Sequence, residues 1–121
     1  MPSLDFTCKI ELPSLDLLEA IEDCSVVSDS CSMMIKEGKF IIEAKGLNSA
    51  KSEFSGDEAG ISGDKGKSKY SLEYLNKFCR ACKLTEKTVI NFADDYPLKL
   101  EFSSKDFGLA FVLAPRVESE D

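Results

Sequence analysis

Pro97-Leu98-Lys99-Leu100-Glu101-Phe102-Ser103, followed four residues later by Gly108-Leu109-Ala110-Phe111-Val112-Leu113 and the tail Ala114-Pro115-Arg116-Val117-Glu118, is the stretch from which the fold can be read. Successive strand residues point to opposite faces, so Leu98, Leu100 and Phe102 share one side while Lys99, Glu101 and Ser103 face water. That is the pattern of a half-buried antiparallel strand. The second segment repeats it with Leu109, Phe111 and Leu113 inward, but it leaves Ala110 and Val112 on the outer side. An outward valine beside a proline-stiffened tail predicts a small apolar platform on the surface. With Thr85 to Asp94 immediately upstream, the region from Lys87 to Glu118 reads as three consecutive strands and a short tail.

Working outward, Phe6-Thr7-Cys8-Lys9-Ile10-Glu11-Leu12 alternates in the same way and is read as a strand. Pro13 and Ser14 open a helix, with Ser14 as its N-cap, Leu15, Leu18, Ile21 and Cys24 or Ser25 at helical spacing, and Asp16, Glu19, Glu22 and Asp23 opposite. Cys31 to Lys36 and Lys39 to Lys45 form a hairpin around Glu37-Gly38. Ser49-Ala50-Lys51-Ser52-Glu53-Phe54-Ser55 is a short polar strand of the kind that closes a sheet edge. From Gly56 to Gly66 small and acidic residues dominate, and the segment reads as a crossing loop; the spacing of a phosphate-binding loop is absent. The pattern resumes at Lys69, and Ser71 caps a second helix over Leu72 to Lys83. That helix buries Leu72, Leu75, Cys79 and Cys82 and presents Asn76, Lys77, Arg80 and Lys83 outward.

Strand, helix and three strands therefore occur twice, in Phe6 to Ser55 and in Lys69 to Ala114, an internal repeat of roughly fifty residues argued from element order. Two such units predict an α+β domain, with two βαβββ repeats and two helices packed on one side of antiparallel sheets. A chain of 121 residues has room for one such domain.

Composition narrows the function classes. The formal net charge of -7 argues against a general nucleic-acid binder, although it leaves room for a local basic surface. There is no histidine, so the commonest general base and metal ligand is missing. Asp94-Asp95 is read as a turn initiator between strands, and no serine or cysteine has a base motif beside it. No enzymatic activity, cofactor or metal is expected. Cys8, Cys24, Cys31, Cys79 and Cys82 are odd in number, and reduced thiols are their default state. Cys79-x-x-Cys82 on a helix shares the face of Leu72 and Leu75, so its thiols are read as small buried hydrophobes in preference to a redox or zinc pair. No apolar run reaches the length of a membrane span and no basic segment precedes a hydrophobic one at the N-terminus. The reading is a soluble intracellular protein with no membrane partner.

Tyr74-Leu75-Asn76, Tyr96-Pro97-Leu98 and Leu113-Ala114-Pro115-Arg116-Val117-Glu118, in this order and spacing, resemble the closing segment of proliferating cell nuclear antigen, the DNA sliding clamp of archaea and eukaryotes. The resemblance covers nearly all of this chain and the second of the two domains of a clamp subunit. It implies that residues 1–5 are the end of the loop between the domains, that residues 6–117 are the clamp C-terminal domain, and that residues 118–121 are an acidic tail. It implies a non-enzymatic processivity factor of archaeal type, cytoplasmic and nucleoid-associated, acting in DNA replication and repair.

The resemblance also assigns sites. It places the helix bearing Asn76, Lys77, Arg80 and Lys83 on the bore of a ring that encircles duplex DNA, where backbone contacts are independent of sequence. The first helix, which it places on the same bore, carries acids and no Lys or Arg, so direct DNA contact is expected to be weak and salt-dependent. Leu4, Phe6, Tyr96, Pro97, Val112, Ala114, Pro115, Arg116 and Val117 correspond to the pocket for the PIP-box peptides of DNA polymerase, nuclease, ligase and clamp loader. Ser49 to Ser55 corresponds to the edge that meets a neighbouring subunit. Gly108, Leu109, Ala110, Phe111, Val112 and Leu113 correspond to the edge that meets the subunit's first domain, and both edges could support self-association of single domains. The alternative from another class is a stand-alone adaptor or inhibitor that binds PIP-box partners or one interface edge without encircling DNA.

Overall fold

The computed structural model describes residues 6–56, 59–63, 66–94, 96–106 and 108–115. Among these residues nine strands and two helices follow one another as β1 (Cys8–Pro13), α1 (Ser14–Val27), β2 (Ser30–Lys36), β3 (Lys39–Lys45), β4 (Ser49–Phe54), β5 (Gly60–Ser62), β6 (Gly66–Ser71), α2 (Leu72–Phe78), β7 (Lys87–Phe92), β8 (Leu98–Ser103) and β9 (Gly108–Leu113). A 3-10 segment, Cys79–Lys83, continues α2.

The strands form two antiparallel sheets, ordered β5-β1-β7-β8-β9 and β4-β3-β2-β6. Both halves of the predicted repeat are present, as β1-α1-β2-β3-β4 and β6-α2-β7-β8-β9. Each half gives its first strand to the other half's sheet: β1 pairs with β7, and β6 with β2. The duplication is thus a strand exchange, and neither half keeps a complete sheet alone. The α+β architecture expected from the alternating patterns is the one observed.

One core runs between the helices and both sheets. Ile10, Leu12, Leu17, Ile21, Met33, Ile42, Tyr70, Leu72, Leu75, Phe92 and Phe102 are essentially inaccessible to water. Side chains of this size are worth about 1.5–3 kcal/mol each when fully buried. The β2–β3 hairpin turns through Glu37 and Gly38, both at positive φ (53° and 76°), which suits a two-residue turn between twisted strands.

Several expectations are corrected. Ser14 is the first residue of α1 and does not cap it; Pro13 holds the cap position, with no side-chain hydrogen bond. The Ser14 hydroxyl lies within 3.1 Å of Thr85 Oγ1 and 2.8 Å of Thr88 Oγ1, and its N–H donates to the Glu86 carbonyl at 3.0 Å. These bonds fix the rotation of α1 about its axis. Ser14, Leu17, Ala20, Ile21 and Cys24 turn inward, and Leu15, expected in the apolar stripe, is 63% exposed.

The segment expected to be only a crossing loop contains β5, which pairs with the outer edge of β1 through Ile10 and Ile61. The strand before α2 is β6, beginning at Gly66 and not at Lys69. Its buried positions are Gly66, Ser68 and Tyr70, which give no apolar alternation to read. The second helix, expected to be uniform to Lys83, tightens into the 3-10 segment after Phe78. Phe6, expected in the first strand, precedes β1 and sets its ring edge-on against Tyr96 at 5.7 Å.

Candidate functional site

Two surfaces and two strand edges gather the residues singled out in the sequence. The first surface lies on the helical side. Lys77, Arg80 and Lys83 are all exposed. In a 3-10 turn residues three apart eclipse one another, so Arg80 and Lys83 stand in line beyond the end of α2. Lys77 Nζ sits 5.5 Å from the centre of the Tyr74 ring, a cation–π contact that holds the ammonium over the helix. Asn76 Nδ2 donates to Ser25 Oγ at 2.8 Å, and Ser25 Oγ donates to the Ile21 carbonyl at 2.8 Å. Asn76 therefore ties α2 to α1, a role that its helical spacing did not reveal. The acids of α1, Asp16, Glu19, Glu22 and Asp23, are all exposed, and Asp16, Glu19 and Asp23 line a groove against Ser52, Glu53 and Phe54 at β4.

The second surface is at one end of the β5-β1-β7-β8-β9 sheet. Leu98 opposes Leu113 and Lys99 opposes Val112, so Tyr96-Pro97 and Ala114-Pro115 extend the same pairing beyond the ladder. Val112 is 56% exposed and Ala114 is exposed, while Phe6, Tyr96, Pro97 and Pro115 are half-buried. The Tyr70 hydroxyl donates to the Tyr96 carbonyl at 2.7 Å and fixes the β7–β8 connection that presents the Tyr96 ring to Phe6. Phe111 stacks on Phe78 of α2 at 4.6 Å, so Val112, one residue on, points away from the helices. The platform and the cations thus occupy opposite sides of the domain. Leu4, Arg116 and Val117, also assigned to this pocket, lie outside the described residues, as do residues 1–5 and the tail 118–121 in full.

The two edges are β4 and β9, each an outermost strand of its sheet. Along β4, Ser49, Lys51 and Glu53 are exposed, Ala50 and Ser52 are half-buried and Phe54 is buried, with Ser55 half-buried beyond the strand. Along β9, Gly108, Leu109, Ala110 and Val112 are exposed, and Phe111 and Leu113 are half-buried against the core. Leu109 was expected inside; it is 40% exposed because no strand covers the far side of β9 among the described residues.

All five cysteines are buried, and Cys24, Cys31, Cys79 and Cys82 form no disulfide. Burial pushes the Cys24 thiol up to about 11 and the Cys31 thiol further still. The hydrogen bond shared with Cys82, together with burial, raises Cys79. Such thiols are poor nucleophiles and poor metal ligands at neutral pH. Among the described residues no group of His, Cys, Asp and Glu is arranged to hold a metal ion. No helix among them is long and apolar enough to cross a membrane.

A strand-exchanged pair of βαβββ units, with two helices and two antiparallel sheets whose outermost strands include β4 and β9, defines an α+β domain of duplicated design. The comparisons with known proteins agree. The family described as proliferating cell nuclear antigen, C-terminal domain, matches residues 1–117. The DNA polymerase sliding clamp of Methanothermobacter thermautotrophicus is 35% identical over 124 aligned positions, covering 99% of this chain and 50% of its own. That of Thermococcus onnurineus is 32% identical, covering 98% and 50%. Among solved structures, A. fulgidus PCNA with the C-terminal region of FEN-1 bound superposes with a TM-score of 0.92 at 28% identity, over 99% of this chain and 51% of that one. PCNA from Thermococcus kodakaraensis superposes with a TM-score of 0.86, also at 28% identity, over 96% and 50%. The chain belongs to the proliferating cell nuclear antigen C-terminal domain family, and it spans about half the length of the relatives it matches.

Proposed function

We propose that this chain is a segment of a DNA sliding clamp, a non-catalytic processivity factor that docks replication and repair enzymes and, within a closed ring, helps tether them to duplex DNA. The observation that carries the proposal is the two-sided layout, with an apolar platform around Val112 on one side of the sheet and the helices on the other. The occupant of the platform would be a PIP-box peptide from a DNA polymerase, nuclease, ligase or clamp loader. The FEN-1 region bound to A. fulgidus PCNA supports a nuclease as one such partner. Tyr96, Pro97, Val112, Ala114 and Pro115 would supply apolar contact, with Leu4, Phe6, Arg116 and Val117 completing the rim. Lys77, Arg80 and Lys83 would make weak phosphate contacts, and β4 and β9 would pair with other clamp domains.

A labelled PIP-box peptide titrated into the protein and read by fluorescence anisotropy tests the docking role. Saturable binding that weakens at least about tenfold in Val112→Glu is expected, since a carboxylate placed in an apolar contact must be desolvated unpaired. Equal binding by the two proteins would overturn the assignment of the platform. A second reading, an adaptor that binds such peptides without encircling DNA, is favoured by the acids of α1, which repel the duplex from the helical side. Loading onto nicked circular DNA, with release when the circle is cut, is the behaviour of a ring and not of an adaptor.

A further inference from the structure

The 3-10 segment turns two thiols inward, Cys79 and Cys82, and two cations outward, Arg80 and Lys83. Because residues three apart in such a turn eclipse one another, the thiols stack along one side with their α-carbons roughly 6 Å apart. A disulfide spans about 4.4–6.8 Å between α-carbons, so the backbone already has the spacing of a bridge. The two sulfurs share a hydrogen bond. Cys82 is also bonded to Thr88 of β7, whose hydroxyl lies 2.8 Å from Ser14 Oγ at the start of α1. These bonds set the thiols apart: the one from Cys79 draws Cys82 below the usual thiol range against the effect of burial, and the same bond raises Cys79. Beyond the turn, Leu84 N–H at 3.0 Å and Thr85 Oγ1 at 2.8 Å both donate to the Ala81 carbonyl, and Leu84 is 67% exposed. A five-residue turn closed by so few bonds at the surface is a place where the chain opens locally, well short of global unfolding.

We propose that Cys79 and Cys82 form a reversible disulfide that latches the turn bearing Arg80 and Lys83, with a low-molecular-weight disulfide as the oxidant. Cys82 Sγ, as thiolate, attacks one sulfur of the oxidant, forms a mixed disulfide and expels the other sulfur as a thiolate. Cys79 then attacks Cys82 Sγ, the bond to the small thiol breaks, and that thiol leaves. Two protein thiols lose two electrons and two protons, and the oxidant takes both and departs as two thiols. Both steps need the turn to open, since Cys79 is 0% and Cys82 1% exposed. Once formed, the bridge encloses Arg80 and Ala81 and limits further opening, so the cations are held in the line that the 3-10 geometry gives them. The inference goes beyond the clamp-segment reading, and peptide docking at the platform neither supports nor removes it.

Incubation of the folded, reduced chain with oxidised glutathione, followed by thiol counting and peptide mapping by mass spectrometry, tests it. The expected result is the loss of two of the five thiols, one intramolecular link between Cys79 and Cys82, an unchanged circular dichroism spectrum and full recovery with dithiothreitol. Amide exchange across the 3-10 segment should slow in the oxidised form. Single variants separate the roles of the two sulfurs. Cys79→Ser is expected to stop at a glutathione adduct on Cys82, because the resolving thiol is gone, and Cys82→Ser to leave Cys79 unmodified. Retention of all five thiols by the folded wild-type chain would overturn the proposal, and that measurement holds even where a variant fails to fold. A link through Cys8, Cys24 or Cys31, a bridge between two chains, or pairing that occurs only in urea would overturn it equally.

Discussion

Two serines illustrate how differently a hydroxyl behaves in this core. Ser14 Oγ bridges Thr85 and Thr88, whereas Ser68 Oγ is buried with no hydrogen-bond partner among the described residues. An unsatisfied buried hydroxyl costs about 1–3 kcal/mol, while a satisfied one contributes on the order of 1 kcal/mol. Ser68→Ala is therefore expected to raise stability by about 1 kcal/mol and Ser14→Ala to lower it by a similar amount, with urea midpoints moving in opposite directions. A destabilised Ser68→Ala would mean that the hydroxyl has a partner after all. The thiols supply a second prediction. Because burial holds Cys24 near 11, its folded-state value lies above the ordinary one of 9.0, and the unfolded chain binds fewer protons between the two. Stability should then fall as pH rises through and beyond the usual thiol range, and Cys24→Ala should flatten that alkaline limb. Neither serine's environment could be foreseen from its neighbours in sequence, because the groups that decide it lie across the core.

At the scale of elements, close approach and edge coverage matter most. A Cβ added at Gly46, in the turn between β3 and β4, would collide with the backbone carbonyl of Val27 at the end of α1. Neither atom belongs to a flexible side chain, so Gly46→Ala is expected to cost about 1–3 kcal/mol and to loosen the β4 edge. Amide exchange in β4 would report that loosening, and unchanged protection there would contradict it. The exposed ion pair of Glu11 with Lys87, at 2.7 Å, links β1 to β7, the contact through which the two halves exchange strands. Its hydrogen bond and charge hold Glu11 below the usual carboxylate range and Lys87 above the usual lysine range. The pair's contribution is present above the ordinary glutamate pKa and is lost as pH falls through the lowered one; at the alkaline end it fades as pH rises through the raised lysine value. Glu11→Gln should reduce the acid dependence of the unfolding midpoint. Alternation made β8 and β9 legible because their inward residues are large and apolar. β5 was not, since three residues around a single Ile61 carry no period, and β6 was not, since Gly66 and Ser68 fill its inward positions.

For the whole molecule, the strand exchange predicts cooperativity. With β1 in the sheet of the second half and β6 in that of the first, neither half can unfold and leave the other intact. Circular dichroism and core-thiol labelling should therefore report one coincident transition, and separated midpoints would contradict the exchange. The same architecture explains why the two candidate surfaces diverge. Alternation along β9 sends Phe111 to the helices and Val112 to the platform, so adjacent residues serve opposite sides of the domain.

The order of elements apart from β5, the duplication, the outward Val112 and the cationic end of α2 follow from the sequence alone, because alternation and helical spacing are local properties of a chain. Tertiary structure alone decided the rotation of α1, which puts Leu15 in water, the use of Asn76 as a tie between helices, and the incomplete cover over Leu109. Those outcomes depend on partners distant in sequence, Thr85 and Thr88 for Ser14 and Ser25 for Asn76, and on which strand ends a sheet. Residue spacing records which face a side chain can occupy, and only packing determines what it meets there.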